Sequence, residues 1–217
     1  MHYPQLSWDN LGWKISNEKL YFLPAITWTA TSSSHFGVRK SFSGFLFDVK
    51  GSCCFPERLS EEVVLGLMAS KQVRFFLKFL NPTIEYQTRD IGNLPVSGNI
   101  IHSVDNINAI NLCVQQLIQI AKQDWDAYET SWDFTSLPLL NPQFHSPALE
   151  TTYNQLRQHW QETTDEMLRL EEENNRIFIE AYGLQEELKP DVPLEEITLT
   201  CNPAYRYGGQ RSSDELE

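Results

Sequence analysis

The sequence predicts an α+β fold: a small, mostly antiparallel sheet with a packed helix, followed by a long helical spacer or coiled-coil segment. Three observations carry it. From Lys19 to Phe55, short runs of aromatic and β-branched residues alternate with turn formers. From Ser60 to Leu80, apolar residues recur at helical spacing. From Ser146 to Gly183, a heptad pattern holds for roughly five repeats.

The elements follow in order. Leu20-Tyr21-Phe22-Leu23, Ile26-Thr27-Trp28-Thr29 and Gly44-Phe45-Leu46-Phe47-Asp48-Val49 read as strands, parted by Pro24, the Thr31 to Ser34 stretch, Gly37, Ser43 and Gly51. Ser60 is placed to cap a helix whose first turn carries Glu61 and Glu62, favourable at the positive end of the helix dipole. Its stripe of Val64, Leu67, Met68, Val73, Phe76, Leu77 and Leu80 ends at Asn81-Pro82. Thr83 to Gln87 reads as a further strand, and Val104 to Trp125 as a second helix. An irregular connector follows, in which Trp125, Tyr128, Trp132 and Phe134 are expected to dock on an apolar surface.

The third helix has Ser146 as N-cap, Pro147 as first residue and Gly183 as a left-handed stop. Its seam runs Leu149, Tyr153, Leu156, Trp160, Thr163, Met167, Leu170, Asn174, Ile177 and Ala181. At 1.5 Å per residue this is a rod of roughly 54 Å, which must pair with another helix of this chain or of another. The expected divisions are 1–98 as a sheet domain, 99–145 as helix and connector, 146–184 as the helical spacer and 185–217 as a C-terminal extension.

The chain has 217 residues and a formal charge of −12. Residues 1–99 hold ten basic and eight acidic residues, a net of +2, leaving seven basic and twenty-one acidic residues, a net of −14, for residues 100–217. That split suggests two segments with different duties. No apolar run approaches the roughly 20 residues of a membrane span. The four cysteines, Cys53, Cys54, Cys113 and Cys201, form no C-x-x-C pair, so free thiols in a reducing, cytoplasmic compartment are expected.

The chain carries no phosphate loop, dinucleotide turn, nucleophile elbow or H-E-x-x-H helix. Asn202-Pro203-Ala204-Tyr205 is similar to the amino-methyltransferase tetrapeptide, in which Asn accepts from the target amine and Tyr stacks on a flipped base. Its third position is Ala204 and no glycine-rich S-adenosylmethionine turn precedes it, so the segment reads better as a turn. No catalytic or metal-ligating residue is assigned.

Trp28-Thr29, Ser32-Ser33-Ser34-His35-Phe36-Gly37-Val38-Arg39 and Gly44 to Gly51 together resemble a target-recognition domain of bacterial restriction-modification enzymes, related to type IIG specificity domains. Leu65 to Lys71, Leu80 to Thr83, Gln87 and Arg89-Asp90-Ile91 continue the pattern. Ala121 to Asp126, Glu129 to Phe134 and Glu172 to Leu184 are similar to the adenine-specific DNA methyltransferases of BREX phage-exclusion systems, the PglX family.

The resemblance implies a double-stranded DNA partner, with contacts from Ser32, Ser33, Ser34, His35, Arg39 and Lys40 and from Gln87 and Arg89. It also implies a piece of a longer enzyme, whose S-adenosylmethionine would bind in a domain outside this chain. Methylation is implied for that parent only, so no cofactor is expected in this chain and its own catalysis stays open. Other partners would be that methyltransferase domain or further defence subunits, with helix pairing through 146–182 and no membrane. The competing reading is an acidic coiled-coil assembly protein that ignores DNA. A third, an acidic mimic of DNA, suits the net-positive first segment poorly.

Overall fold

Ala25, Ile26 and Trp28 are buried among helices, and a three-stranded sheet forms around them in a computed structural model that describes residues 17–32, 36–48 and 50–208. Its strands are β1 (Ala25–Trp28), β2 (Val38–Ser41) and β3 (Cys53–Cys54), in the order β2-β1-β3 with both pairings antiparallel. Among the described residues seven α-helices accompany it: α1 (Glu61–Ala69), α2 (Lys71–Leu80), α3 (Thr88–Gly92), α4 (Gly98–Ile101), α5 (Val104–Asp126), α6 (Leu149–Tyr182) and α7 (Pro203–Tyr207). The architecture is α+β, as the residue patterns predict.

Two of the expected strands are loops. Phe22 takes a left-handed conformation (φ 64°), turning the chain just before Pro24, which has no N–H to give to a ladder. Phe22 instead donates to the carbonyl of Phe45 (3.2 Å) and accepts from Gly44 (3.0 Å), holding 44–48 as a folded-back loop. The third strand comes from Cys53 and Cys54, opposite Thr27 and Ile26. Thr83 to Gln87 supplies a single bridge, Glu85 to Thr31, because Asn81 folds the preceding turn and α3 begins at Thr88.

The helix predicted over 60–80 starts as expected, with the Ser60 hydroxyl accepting from Val63 N–H (3.3 Å), but it is two helices. Ser70 is extended at the break, and the Lys71 N–H that opens α2 finds its acceptor in Asn175 Oδ1 (2.9 Å), 104 residues away. Helical propensity continues through Ser70; a tertiary hydrogen bond makes it worthwhile to stop there.

α5 matches its predicted span to one residue, capped by the Ser103 hydroxyl (3.2 Å to Asn106 N–H). α6 ends where predicted, at Gly183 with φ 71°, but begins at Leu149, with Ala148 at the cap and Ser146 N–H donating to Thr152 Oγ1 (3.0 Å). Its partners are α5, α2 and α4. Leu156, Met167, Leu170, Asn174, Ile177 and Ala181 are buried as the seam requires, whereas Thr164 takes the place of Thr163, and Leu149 and Tyr153 are exposed. A straight helix has 3.6 residues per turn and drifts off a strict heptad, and Leu156, Met167 and Phe178, spaced by eleven, mark the face that stays inward.

One core joins Ile26 and Trp28 of the sheet with Met68 of α1, Val73 of α2, Ile110 of α5 and Phe178 of α6. It draws on both sides of residue 98. Each such side chain contributes about 1.5–3 kcal/mol on burial. α1 approaches α6 so closely that a Cβ on Gly66 would lie 2.7 Å from Asn174 Oδ1 and 2.8 Å from Val114 Cγ2. Asn174 Nδ2 uses the approach to donate to the Gly66 carbonyl (2.9 Å). In the connector Tyr128 and Phe134 are half-buried, while Trp132 is 95% exposed on a loop fastened by Ser131 Oγ to Asp126 (2.7 Å) and Lys122 to Asp133 (2.7 Å). That tryptophan therefore docks on nothing among the described residues.

Candidate nucleic-acid interface

Strand alternation decides which polar residues of the hairpin face outward. Arg39 pairs with Thr27 across the ladder, and Lys40 pairs with buried Ile26. Arg39 is exposed, its guanidinium 3.4 Å from Thr29 Oγ1, and no carboxylate pairs with it among the described residues. Lys40 turns to the first turn of α1, 2.9 Å from Glu61 and 3.5 Å from Glu62, with only 18% of its side chain exposed. Burial pulls the Lys40 pKa down, but hydrogen bonds and charge from Glu61 and Glu62 outweigh it and the net shift is upward. Neighbours in sequence thus have opposite duties: Lys40 ties the hairpin to α1, and Arg39 offers a free cation.

The second group of predicted contacts lies along the same hairpin. Ser32 N–H donates to the Ile84 carbonyl (2.9 Å) and Tyr86 N–H to the Ala30 carbonyl (2.7 Å), zipping 30–32 to 84–86. Trp28 Nε1 donates to the Tyr86 carbonyl (2.9 Å) and fixes this segment from beneath. Gln87 follows directly, exposed, its N–H held by Asp90 Oδ2 (3.0 Å), and Arg89 projects from the first turn of α3, exposed and free of carboxylate partners among the described residues. Asn81, which the sequence offers as a helix stop, also sets the turn that carries Gln87: its amide bridges Asp90 Oδ2 (2.6 Å) and its Oδ1 accepts from Thr83 N–H (3.0 Å). The Asn-Pro-Thr run, a turn former beside a proline, was its signal in the sequence. Ser33, Ser34 and His35 lie outside the described residues. Ser32, Gln87 and Arg89 are therefore gathered at one segment pairing, and Arg39 stands on the outer face of the adjoining strand.

The chemistry of the other conspicuous residues is structural. Asn202 is buried and caps α7: Oδ1 accepts from Ala204 N–H (3.1 Å), and Nδ2 donates to the carbonyls of Leu194 (2.8 Å) and Ile197 (2.9 Å). Its amide is thus tied to neighbouring backbone groups, as a helix cap. The cysteines are free thiols, and burial pushes Cys113 up to about 11 and Cys201 up to about 12, far from the thiolate a nucleophile requires. Among the described residues no cluster of His, Cys, Asp or Glu is arranged to hold a metal ion, and no helix is long and apolar enough to cross a membrane.

No family model matches the chain. Individual proteins do. It is 33% identical over 187 residues to the adenine-specific methyltransferase PglX of Lacticaseibacillus casei (strain Zhang), a match covering 84% of this chain. The chain is a relative of the PglX-type adenine-specific methyltransferases. The adenine-specific methyltransferase BrxX of Escherichia coli O9:H4 (strain HS) is 30% identical over 203 residues, 92% of this chain. The PglX-like chain spans 15% of the length of the first relative and 16% of the second.

Proposed function

We propose that this chain is the DNA target-recognition and spacer region of a site-specific adenine-N6 DNA methyltransferase in a bacterial phage-defence system. The observation that carries the reading is the match to PglX and BrxX over 84% and 92% of the chain. Arg39 and Arg89, exposed and without carboxylate partners among the described residues, lie with Ser32 and Gln87 on this face and supply what duplex binding needs: cations for phosphate, and donors and acceptors for base edges. In this reading the hairpin face lies on the duplex, and the α5–α6 pair is a rigid spacer setting its distance from the catalytic machinery.

In this reading S-adenosylmethionine is bound by the catalytic machinery of the longer enzyme. The groove of about 420 Å³ between α5 and α6 is lined by Asp105, Glu173 and Glu180 against one arginine, Arg176, with no aromatic ring to stack an adenine. Asn202 caps α7 from a buried position. No step of methyl transfer is therefore assigned to this chain.

The test is fluorescence anisotropy of a labelled duplex titrated with the chain at rising salt. Binding through phosphate contacts weakens with a log–log slope of about −0.9 per contact. Folded protein that leaves the duplex unbound at low salt refutes the reading. The second reading, an acidic helical assembly protein, draws on Leu149 and Tyr153, heptad positions of α6 left exposed. Light scattering separates the two, because assembly requires a mass above 25.1 kDa that falls when both residues are replaced by Glu.

A further inference from the structure

Between Asn81 and Asp90 the chain closes a loop on itself, and the two end residues make the closure. Asn81 Nδ2 donates to Asp90 Oδ2 (2.6 Å) and to the Glu85 carbonyl, and Asn81 Oδ1 accepts from the N–H (3.0 Å) and the hydroxyl (2.6 Å) of Thr83. Thr83 Oγ1 in turn accepts from Glu85 N–H (3.2 Å). Asp90 Oδ2 takes a second bond, from Gln87 N–H (3.0 Å). The closed loop is seated firmly on the fold. Asn81 N–H donates to the Leu77 carbonyl of α2 (2.9 Å), Tyr86 packs on buried Phe36 with ring centroids 4.9 Å apart, and 84–86 pair with 30–32.

Half-buried Asn81, Tyr86 and Asp90 form the inside of this loop, while Ile84, Gln87, Thr88 and Arg89 stand outside it, exposed. Asp90 is the member that a DNA-facing loop has least reason to carry. A carboxylate next to Arg89 repels the phosphates that Arg89 would meet, so on charge alone its removal tightens binding. Both hydrogen bonds that Asp90 accepts come from neutral donors, and neither cancels its charge. What the carboxylate supplies is order. Its bonds fix the backbone from which Gln87 and Arg89 project before any duplex arrives, and a contact fixed beforehand loses less freedom on binding.

We propose that Asp90 is a positioning residue for DNA reading: its charge weakens attraction to the duplex, and its hold on the loop that carries Gln87 and Arg89 more than makes up the loss. This rests on the reading of the hairpin face as the DNA interface. Both accepted bonds fall on one oxygen, Oδ2. Asp90→Asn can therefore keep them through its amide oxygen, whereas Asp90→Ala loses them. The two substitutions remove the same charge and differ in the acceptor.

Anisotropy titrations of the full chain on one labelled duplex, at a fixed salt of about 0.1 M and below the melting temperature of every variant, separate charge from position. Asp90→Ala is expected to bind about tenfold more weakly than the wild type, the scale of one lost specific contact. Asp90→Asn is expected to bind at least as tightly as the wild type. In a chain already carrying Gln87→Ala and Arg89→Ala, Asp90→Ala no longer weakens binding, because nothing is left for the loop to place; a general structural loss would persist there. If Asp90→Ala binds as tightly as the wild type or more so, if Asp90→Asn is as weak as Asp90→Ala, or if the weakening persists in the double-alanine background, the positioning role is overturned while the DNA reading stands. A folded wild-type chain that ignores the duplex overturns the DNA reading and the positioning role with it.

Discussion

The hairpin and the helical hub handle polar residues in opposite ways. In the hub, Asn174 and Asn175 are buried side by side on α6, and their amides reach Gly66, Lys71 and Pro190, so the polar groups staple α1, α2 and the chain at Pro190 to one helix. In the hairpin, adjacent Arg39 and Lys40 are sent to opposite faces, and only Lys40 serves the fold. A polar pair on a helix shares a neighbourhood; a polar pair on a strand is divided by it. The division is what lets the hairpin both hold on to α1 and keep a cation in solvent.

The comparison breaks most visibly in the hub. Phe178→Ala removes a fully buried ring of α6 and is expected to cost about 3–5 kcal/mol in urea denaturation. A loss under 1 kcal/mol would mean that α6 does not anchor the core. Gly66→Ala drives a methyl into Asn174 and Val114 and is expected to cost about 1–3 kcal/mol, with the melting temperature lowered accordingly; a neutral outcome would show that α1 and α6 are free to move apart. On the hairpin, Lys40→Ala gives up its link to Glu61 and Glu62 for about 0.5–1 kcal/mol, whereas Arg39→Ala leaves the midpoint in place. Smallest of all is Tyr153→Ala, an exposed heptad position, expected within about 0.5 kcal/mol; a larger loss would mean that a partner covers this end of α6.

What the sequence made legible was local. Ser60, Ser103 and Gly183 act at helix ends because a hydroxyl acceptor or a left-handed glycine satisfies neighbouring backbone groups wherever the chain lies. The break at Ser70 was hidden because its cause is Asn175, far along the chain. Ser146 failed as a cap because Thr152 draws its N–H outside the helix. In the candidate interface, residue types were legible and orientation was not: Arg39 and Lys40 look alike until the register opposite Thr27 and Ile26 is known. Gln87 and Arg89 were legible as polar residues, but their meeting with Ser32 depends on the 30–32 and 84–86 pairing, which only the fold supplies.

The central claim, that the outer face of the hairpin meets DNA while the inner face serves the fold, is tested most directly by salt-dependent anisotropy on Arg39→Ala and Lys40→Ala separately. The account predicts that Arg39→Ala weakens duplex binding across sequences and lowers the log–log salt slope by about 1, while Lys40→Ala, folded and at temperatures below its melting, binds as the wild type does. Equal losses in both variants, or an unchanged slope in Arg39→Ala, would contradict it.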